Sequence, residues 1–415
     1  MTRRRSPNGL RLFYFRQMKE STRKADTAVI GGGAAALALV AMLDSADVTV
    51  LERNTRAGKK LLATGNGKCN LTGEDISADG YNRPDVAGRF LNDFPPSAAV
   101  EFFNSLGLAT RVVNGRVYPY SECASSVLDV LLAAVRDSGA AILTGREVSA
   151  VERTAEGFLL TANVLGDDGK ALSQEKIKAR RIVLASGSSA SSGRDSLSLY
   201  RALGHSCRPF SPSLVPLKTD RESVKGLNGV RAKCTATLAG VRTEGEILFR
   251  DYGLSGIAAL DLSALYARGT ARRGDAVSLD FVPDVTEKEL TDLIAAQRGR
   301  TCERVLRGMF HSKVAERIMA RAEQAPDRAP DAERIASVAK DYRLTLQGTA
   351  DASAAQVMSG GLDPDEFDAD LQSLLCRGAY AMGEALDVDG ICGGYNLQWA
   401  WMSAHAVARG LKNLR

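Results

Sequence analysis

The stretch from Thr27 to Glu52 constrains this chain most. Ala28-Val29-Ile30 reads as a short buried strand, Gly31-Gly32-Gly33 as a tight turn, and Ala34 to Leu43 as an apolar helix. Asp44 to Asp47 make a polar turn before a second apolar strand, Val48-Thr49-Val50-Leu51. Two such strands joined by a helix form a βαβ unit and lie parallel in one sheet. Gly31-Gly32-Gly33-Ala34-Ala35-Ala36 fits the spacing G-x-G-x-x-G/A. In that pattern Gly31 permits the turn, Gly33 lets the backbone approach a pyrophosphate, and Ala36 keeps the helix close to the sheet. The free N–H groups and positive dipole end of the helix then face the phosphates. Glu52, ending the second strand, is placed to take ribose hydroxyls. Together these residues specify a dinucleotide-binding fold.

Further along, residues 98–107 and 124–138 read as helices, and residues 141–151 and 157–165 as strands, with a turn at Gly166 to Gly169. Arg181 to Ser186 is another buried strand, running into Gly187. Beyond Ser188 the texture changes. Residues 211–282 carry short alternating runs rich in turn residues, and residues 285–338 are charged, alanine-rich and helical in period. Strand-like segments return from Tyr342, and the chain closes on a helix over about 398–411. The simplest arrangement is an α/β nucleotide-binding domain split by an insert. The expected parts are a basic arm (1–24), the nucleotide-binding domain (25–195 and 346–415), a β-rich insert (196–284 and 339–345) and a helical subdomain (285–338).

The longest apolar run, Ala34 to Leu43, is too short to span a bilayer, and Arg3-Arg4-Arg5 is not followed by the apolar core of a signal peptide. A cytoplasmic protein without membrane contact is expected. The seven cysteines form no C-x-x-C, which disfavours a structural zinc site or a dithiol relay and fits reduced thiols. The net charge of +5 is unevenly spread, because residues 1–24 hold eight basic side chains against Glu20 and the remainder is slightly acidic. That arm reads as an extended tail, with contact to RNA phosphates as its functional alternative.

Two segments choose the nucleotide. Lys59 to Asn70 is polar and glycine-rich: Gly65 and Gly67 allow close backbone approach, Lys59, Lys60 and Lys68 can meet phosphate or an electron-rich ring, and Asn66 and Asn70 donate and accept hydrogen bonds. Near the end, Ala379 to Met382 reads as a strand that passes through Gly383 to Gly390 and Gly393-Gly394-Tyr395-Asn396 into the last helix. Asp389 is suited to ribityl hydroxyls, and amides near Gly394 to Asn396 to the pyrimidine edge of an isoalloxazine, where a helix N-terminus stabilises negative charge on reduction. A nicotinamide dehydrogenase has no need of this second helix end, so FAD is the expected cofactor.

Lys59 to Asn70, Gly253-Leu254-Ser255-Gly256 and the ending Gly383-Glu384-x-Leu386-Asp387-x-Asp389-Gly390-x-x-Gly393-Gly394-Tyr395-Asn396-Leu397-Gln398-Trp399-Ala400 resemble the HI0933-like flavoprotein family, described as NAD(P)/FAD-dependent or aminoacetone-oxidase-family FAD-binding enzymes. The likeness extends from about Thr27 to Leu411. It implies a Rossmann-type FAD-binding domain split by a β-barrel-like insert and a small helical domain. The expected flavin contacts are Gly31, Gly33, Ala34, Ala35, Ala36, Glu52, Arg53, Lys59, Lys60, Gly65, Asn66, Gly67, Lys68, Cys69, Asn70, Val148, Ala185, Gly187, Gly383, Glu384, Asp389, Gly394, Tyr395 and Asn396.

A flavin carries redox chemistry while the protein sets access and orientation. No second G-x-G-x-x-G follows the first, so NAD(P)H is expected to reduce the flavin transiently and leave. The leading reading passes that hydride to an electron-poor C=C bond, in a small enone-like metabolite or in a uracil of RNA, giving dihydrouridine. An oxygen-using amine or aminoketone oxidase and a flavoprotein without turnover are the alternatives. Cys69 is the candidate proton donor. His205, His311 and His405 read as structural, and Tyr395 as a flavin contact through its backbone. No metal site and no particular oligomeric state is indicated.

Overall fold

The computed structural model describes residues 21–188 and 196–413. The first strand, β1, runs Ser21–Ile30 and is followed by helix α1 (Ala34–Leu43) and strand β2 (Val48–Glu52). The strand expected over three residues is thus longer, and the reason is its neighbour. Ala171–Leu184 is a 14-residue strand, and Ser21 to Ala25 pair with its Glu175 to Ala179. Most of the expected basic arm lies outside the described residues, but residues 21–24 belong to this sheet, where Arg23 Nε lies 3.3 Å from Glu175.

The main sheet has seven strands. β1, β2, Ala141–Thr144, the end of Ala171–Leu184 and Ala379–Ala381 are mutually parallel, while Arg146–Thr154 and Gly157–Leu165 add antiparallel strands at one side. The single strand expected over 141–151 breaks at Gly145, whose φ of +65° sends the chain into a new strand on the sheet's far side. α1 is apolar all round because it is buried between the sheet and the closing helix, Gly393–Asn413. That helix begins five residues earlier than its periodicity suggests, because Gly393 and Gly394 open it.

The insert is a closed barrel of six strands, Leu217–Thr219, Gly253–Ser255, Val241–Arg250, Arg231–Leu238, Ala276–Asp280 and Tyr342–Thr349, each antiparallel to its neighbours. Its tightest hairpin turns on Ala239 and Gly240, both at positive φ, as a two-residue turn matched to strand twist requires. Alternate residues such as Ala236, Leu238, Ile247, Phe249, Val277, Leu279, Leu344 and Leu346 fill the interior. Four helices, Glu287–Ala295, Cys302–Arg307, Ser312–Arg321 and Ala332–Lys340, lie between the last two strands; Thr286, Thr301 and Asp331 cap three of them. Barrel and helices share one hydrophobic core, and the large sheet has another.

One helix stands between the two cores. Gly256, at φ +90°, lets Ile257–Ala267 leave its strand so closely that a Cβ there would lie 2.3 Å from the Glu246 carbonyl oxygen. Ala258, Ala259 and Leu262 are buried against the barrel. Among the described residues no helix is long and apolar enough to cross a membrane, and no cluster of metal-ligating side chains is formed.

Candidate cofactor cleft

Ile30 pairs with Leu51 and with Leu184, which pairs in turn with Ala381. Four parallel strands therefore end at one level. The residues that follow them, Gly31, Glu52, Ala185 and Met382, line a single cleft of about 730 Å³. This is where an open parallel sheet places its ligand, and the volume falls within the usual range for small-molecule sites.

At one end, the first turn of α1 has neither a side-chain cap nor an acidic residue, so its N–H groups face the cleft unopposed. Gly31 is held at φ +101°, and a Cβ there would lie 2.5 Å from Ser186 Cα, which no L-residue tolerates. Gly33, Ala34 and Ala35 line the cleft, while Ala36 is fully buried beneath them. Glu52 is buried and fixed: Gly32 N–H donates to one carboxylate oxygen at 2.7 Å, and Asn54 N–H to the other at 2.7 Å. Arg53 lies beside it, its Nε 3.0 Å from Glu147 Oε1.

At the other end, Gly383 is clamped by the closing helix. Its N–H donates to Ser403 Oγ at 3.0 Å, and its carbonyl accepts from Trp399 Nε1 at 3.0 Å. This turn aims Glu384 into the cleft, where its Oε2 meets Lys60 Nζ at 2.5 Å and accepts from Ser188 Oγ at 3.3 Å. Gly393 and Asn396 line the same end. Asn396 accepts from Gly390 N–H at 3.1 Å and donates to the Cys392 carbonyl at 2.8 Å, which locks the loop before the helix.

Of the anticipated contacts, Gly31, Gly33, Ala34, Ala35, Glu52, Arg53, Lys59, Lys60, Gly65, Val148, Ala185, Gly187, Gly383, Glu384 and Asn396 come together around the cleft. Others lie apart from its lining. Lys68 turns to Glu122, 2.6 Å away, and Gly67 faces open space. The side chain of Asn66 and residues 189–195 lie outside the described part. Asn70 packs under Gly394, and the Tyr395 ring stands edge-on to Tyr81, away from the cleft. Asp389 does not reach the cleft either: it is buried and ion-paired with Arg268 at the end of the Ile257–Ala267 helix. Glu384 is the carboxylate that occupies that end. Cys69 is fully buried outside the lining, and burial pushes its thiol up to about 11.

Arg146, Ser149, Asn163, Asn54 and Gln356 line the cleft without having been anticipated. Gly145 was the available signal for three of them, since a glycine inside a strand pattern marks a bend. That bend brings Arg146–Thr154 and its partner strand against the cleft.

The histidines are structural in their contacts. His205 is buried, 2.7 Å from Glu366 and stacked on Phe367; His311 caps the helix Ser312–Arg321; His405 stacks on Phe94.

The donor set fits FAD. An uncapped helix start over a glycine cradle suits the pyrophosphate, a fixed carboxylate at a neighbouring strand end suits the ribose, and a second helix start lies at the far end. The model of the HI0933-like protein Rossmann domain matches residues 25–410. The chain is 35% identical to the 3-dehydro-bile acid delta(4,6)-reductase of Clostridium scindens over 92% of this chain and 97% of that protein. It is 27% identical to the ribosomal RNA dihydrouridine synthase of Escherichia coli, over 93% of this chain and 98% of that one, and also 27% identical to the enzyme of that name from Haemophilus influenzae, over 92% and 98%. With this cleft and these matches, the chain belongs to the HI0933-like family and is an FAD-dependent oxidoreductase.

Proposed function

We propose that this enzyme passes hydride from NAD(P)H, through FAD, to a C=C bond conjugated with a carbonyl in a small enone-type metabolite. The observation that carries this reading is the end-to-end likeness to two kinds of reductase whose named substrates share one chemical unit. A 3-dehydro compound with Δ4 and Δ6 double bonds is a conjugated ketone, and uracil holds its C=C beside a carbonyl. The small-molecule version is favoured by the higher identity, 35% against 27%.

FAD supplies the hydride relay when bound. The protein's part is positional. The start of α1 and Glu52 hold the adenosine pyrophosphate half, and Lys60 with Glu384 holds the chain between the two ends. The start of the closing helix would stabilise negative charge on the bound ring. The sequence contains one G-x-G-x-x-G/A helix start of this kind, so NAD(P)H visits and leaves.

The test is anaerobic stopped-flow on the purified holoenzyme. NADH or NADPH is expected to bleach the flavin absorbance, and a steroidal 4-en-3-one or cyclohex-2-enone to restore it. Bleaching without recovery by any electron-poor alkene, but with recovery by oxygen, would replace this reading with an oxidase. The RNA version, supported by the 27% relatives and the basic residues 1–24, is tested by mass analysis of ribosomal RNA from a deletion strain. Loss of one dihydrouridine moves the substrate to RNA.

A further inference from the structure

The closing helix lines the cleft from its first turn, with Gly393, Asn396, Leu397 and Ala400. Where that turn points therefore decides what its free N–H groups face. Residues 386–392, which lead into it, form neither helix nor strand, so their backbone polar groups need partners from elsewhere. Gly80, Tyr81 and Asn82 supply them. Ile391 N–H donates to the Gly80 carbonyl at 3.0 Å, Tyr81 bridges Gly390 in antiparallel sense, and Asn82 N–H donates to the Asp389 carbonyl at 3.0 Å. The Asn82 side chain then continues the pairing as a neighbouring strand would. Its Oδ1 accepts from Asp389 N–H at 2.8 Å, and its Nδ2 donates to the Asp387 carbonyl at 3.0 Å.

The helix itself is gripped by the same segment. The buried Tyr81 donates its hydroxyl to the Tyr395 carbonyl at 2.9 Å, inside the helix's first turn. Tyr395 is wedged between two glycines: a Cβ on Gly80 would lie 2.1 Å from its Cε1, and a Cβ on Gly390 2.2 Å from its Cβ. Asn396 closes the loop from the helix side, donating to the Gly390 carbonyl at 3.0 Å.

The insert reaches the same loop through its two carboxylates. Gly360, on the strand Val357–Leu362 by which the chain returns from the barrel, donates its N–H to Asp387 Oδ1 at 3.1 Å, and Arg268 pairs with Asp389. A neutral amide at position 82 bonds the backbone between these two charges without competing for Arg268. A carboxylate there would repel both, and an apolar side chain would leave the Asp389 N–H and the Asp387 carbonyl without partners.

We infer that Tyr81 and Asn82 are positioning residues for the flavin: they fix the first turn of the closing helix against the bound ring and thereby set its reduction potential. This rests on the placement of the ring at that helix start, given above. The ring is neutral when oxidised and carries one negative charge after taking up two electrons and one proton. Stabilisation by a helix N-terminus falls off within about one turn, so a shift of the loop is felt mainly by the reduced form.

The test is the potential of the bound flavin, titrated anaerobically against a reference dye on the full-length holoenzyme. Asn82→Ala is expected to weaken binding of reduced FAD about tenfold relative to oxidised FAD, which lowers the two-electron potential by ~30 mV. Tyr81→Phe keeps the ring packing and loses one hydrogen bond; a ratio change of about threefold, ~14 mV, is expected, and this variant carries the test if Asn82→Ala does not fold. Asn396→Asp checks the ring's placement, because it puts a carboxylate into the cleft lining and should lower the potential by itself. A shift in Asn396→Asp, with lower Tm but parental potentials in Tyr81→Phe and Asn82→Ala, would reduce these two residues to structural ones and overturn the assignment alone. An unmoved potential in Asn396→Asp would overturn the ring's placement and this assignment with it.

Discussion

Lys60 Nζ lies 2.5 Å from Glu384 Oε2, joining the loop after β2 to the turn after the last parallel strand, 324 residues on. Both side chains are partly buried in the cleft lining. Glu384→Gln is expected to weaken FAD binding about tenfold, ~1.4 kcal/mol, by leaving the ammonium without its counter-charge. Flavin fluorescence titration of apoprotein measures this, and an unchanged Kd would remove the pair from the cofactor site.

Gly31→Ala tests the cradle itself. With Ser186 Cα 2.5 Å from the new methyl group, and φ at +101°, the turn must open. A destabilisation of about 3 kcal/mol and protein purified free of flavin are expected. Denaturant unfolding and the absorbance ratio of the purified protein report both effects.

Cys69→Ala separates packing from chemistry. The thiol is fully buried and outside the cleft lining, so turnover should persist while stability falls by about 1–2 kcal/mol. A hundredfold loss of the alkene half-reaction, with flavin still bound, would return Cys69 to the reaction.

Asp261 makes stability depend on pH with a definite sign. Its folded carboxyl titrates near 7, above its usual value of 3.8, so the folded chain holds the proton more tightly than the unfolded one. Stability contributed by the neutral form is complete below about pH 4 and is lost as pH rises through 7. Asp261→Asn should therefore melt a few degrees above the parent at pH 8 and level with it at pH 4. A difference in Tm that is the same at both pH values would show that the carboxyl titrates normally.

What the sequence determined by itself was local. The strand–glycine–helix–strand order from Thr27 to Glu52 constrains its own geometry, because the turn, the helix start and the carboxylate lie within one supersecondary unit. The two-residue turn at Ala239-Gly240 and the capping box from Thr286 to Glu289 are short-range in the same way. The division into a parallel-sheet domain and a β-rich insert was legible from the change of hydrophobic period.

Only the tertiary structure decided which distant groups meet, because that depends on strand register and on how the barrel's helix docks. Gly145 ends one strand and starts another, which carries Arg146 and Ser149 to the cleft. Arg268, remote in sequence, captures Asp389 and leaves Glu384 as the carboxylate at that end of the cleft. The glycine turn at Gly31 was legible because short-range sterics demand a glycine there. How the Ile257–Ala267 helix docks is set by tertiary contacts: Gly256 aims it off its strand, and Arg268 ties its end to Asp389.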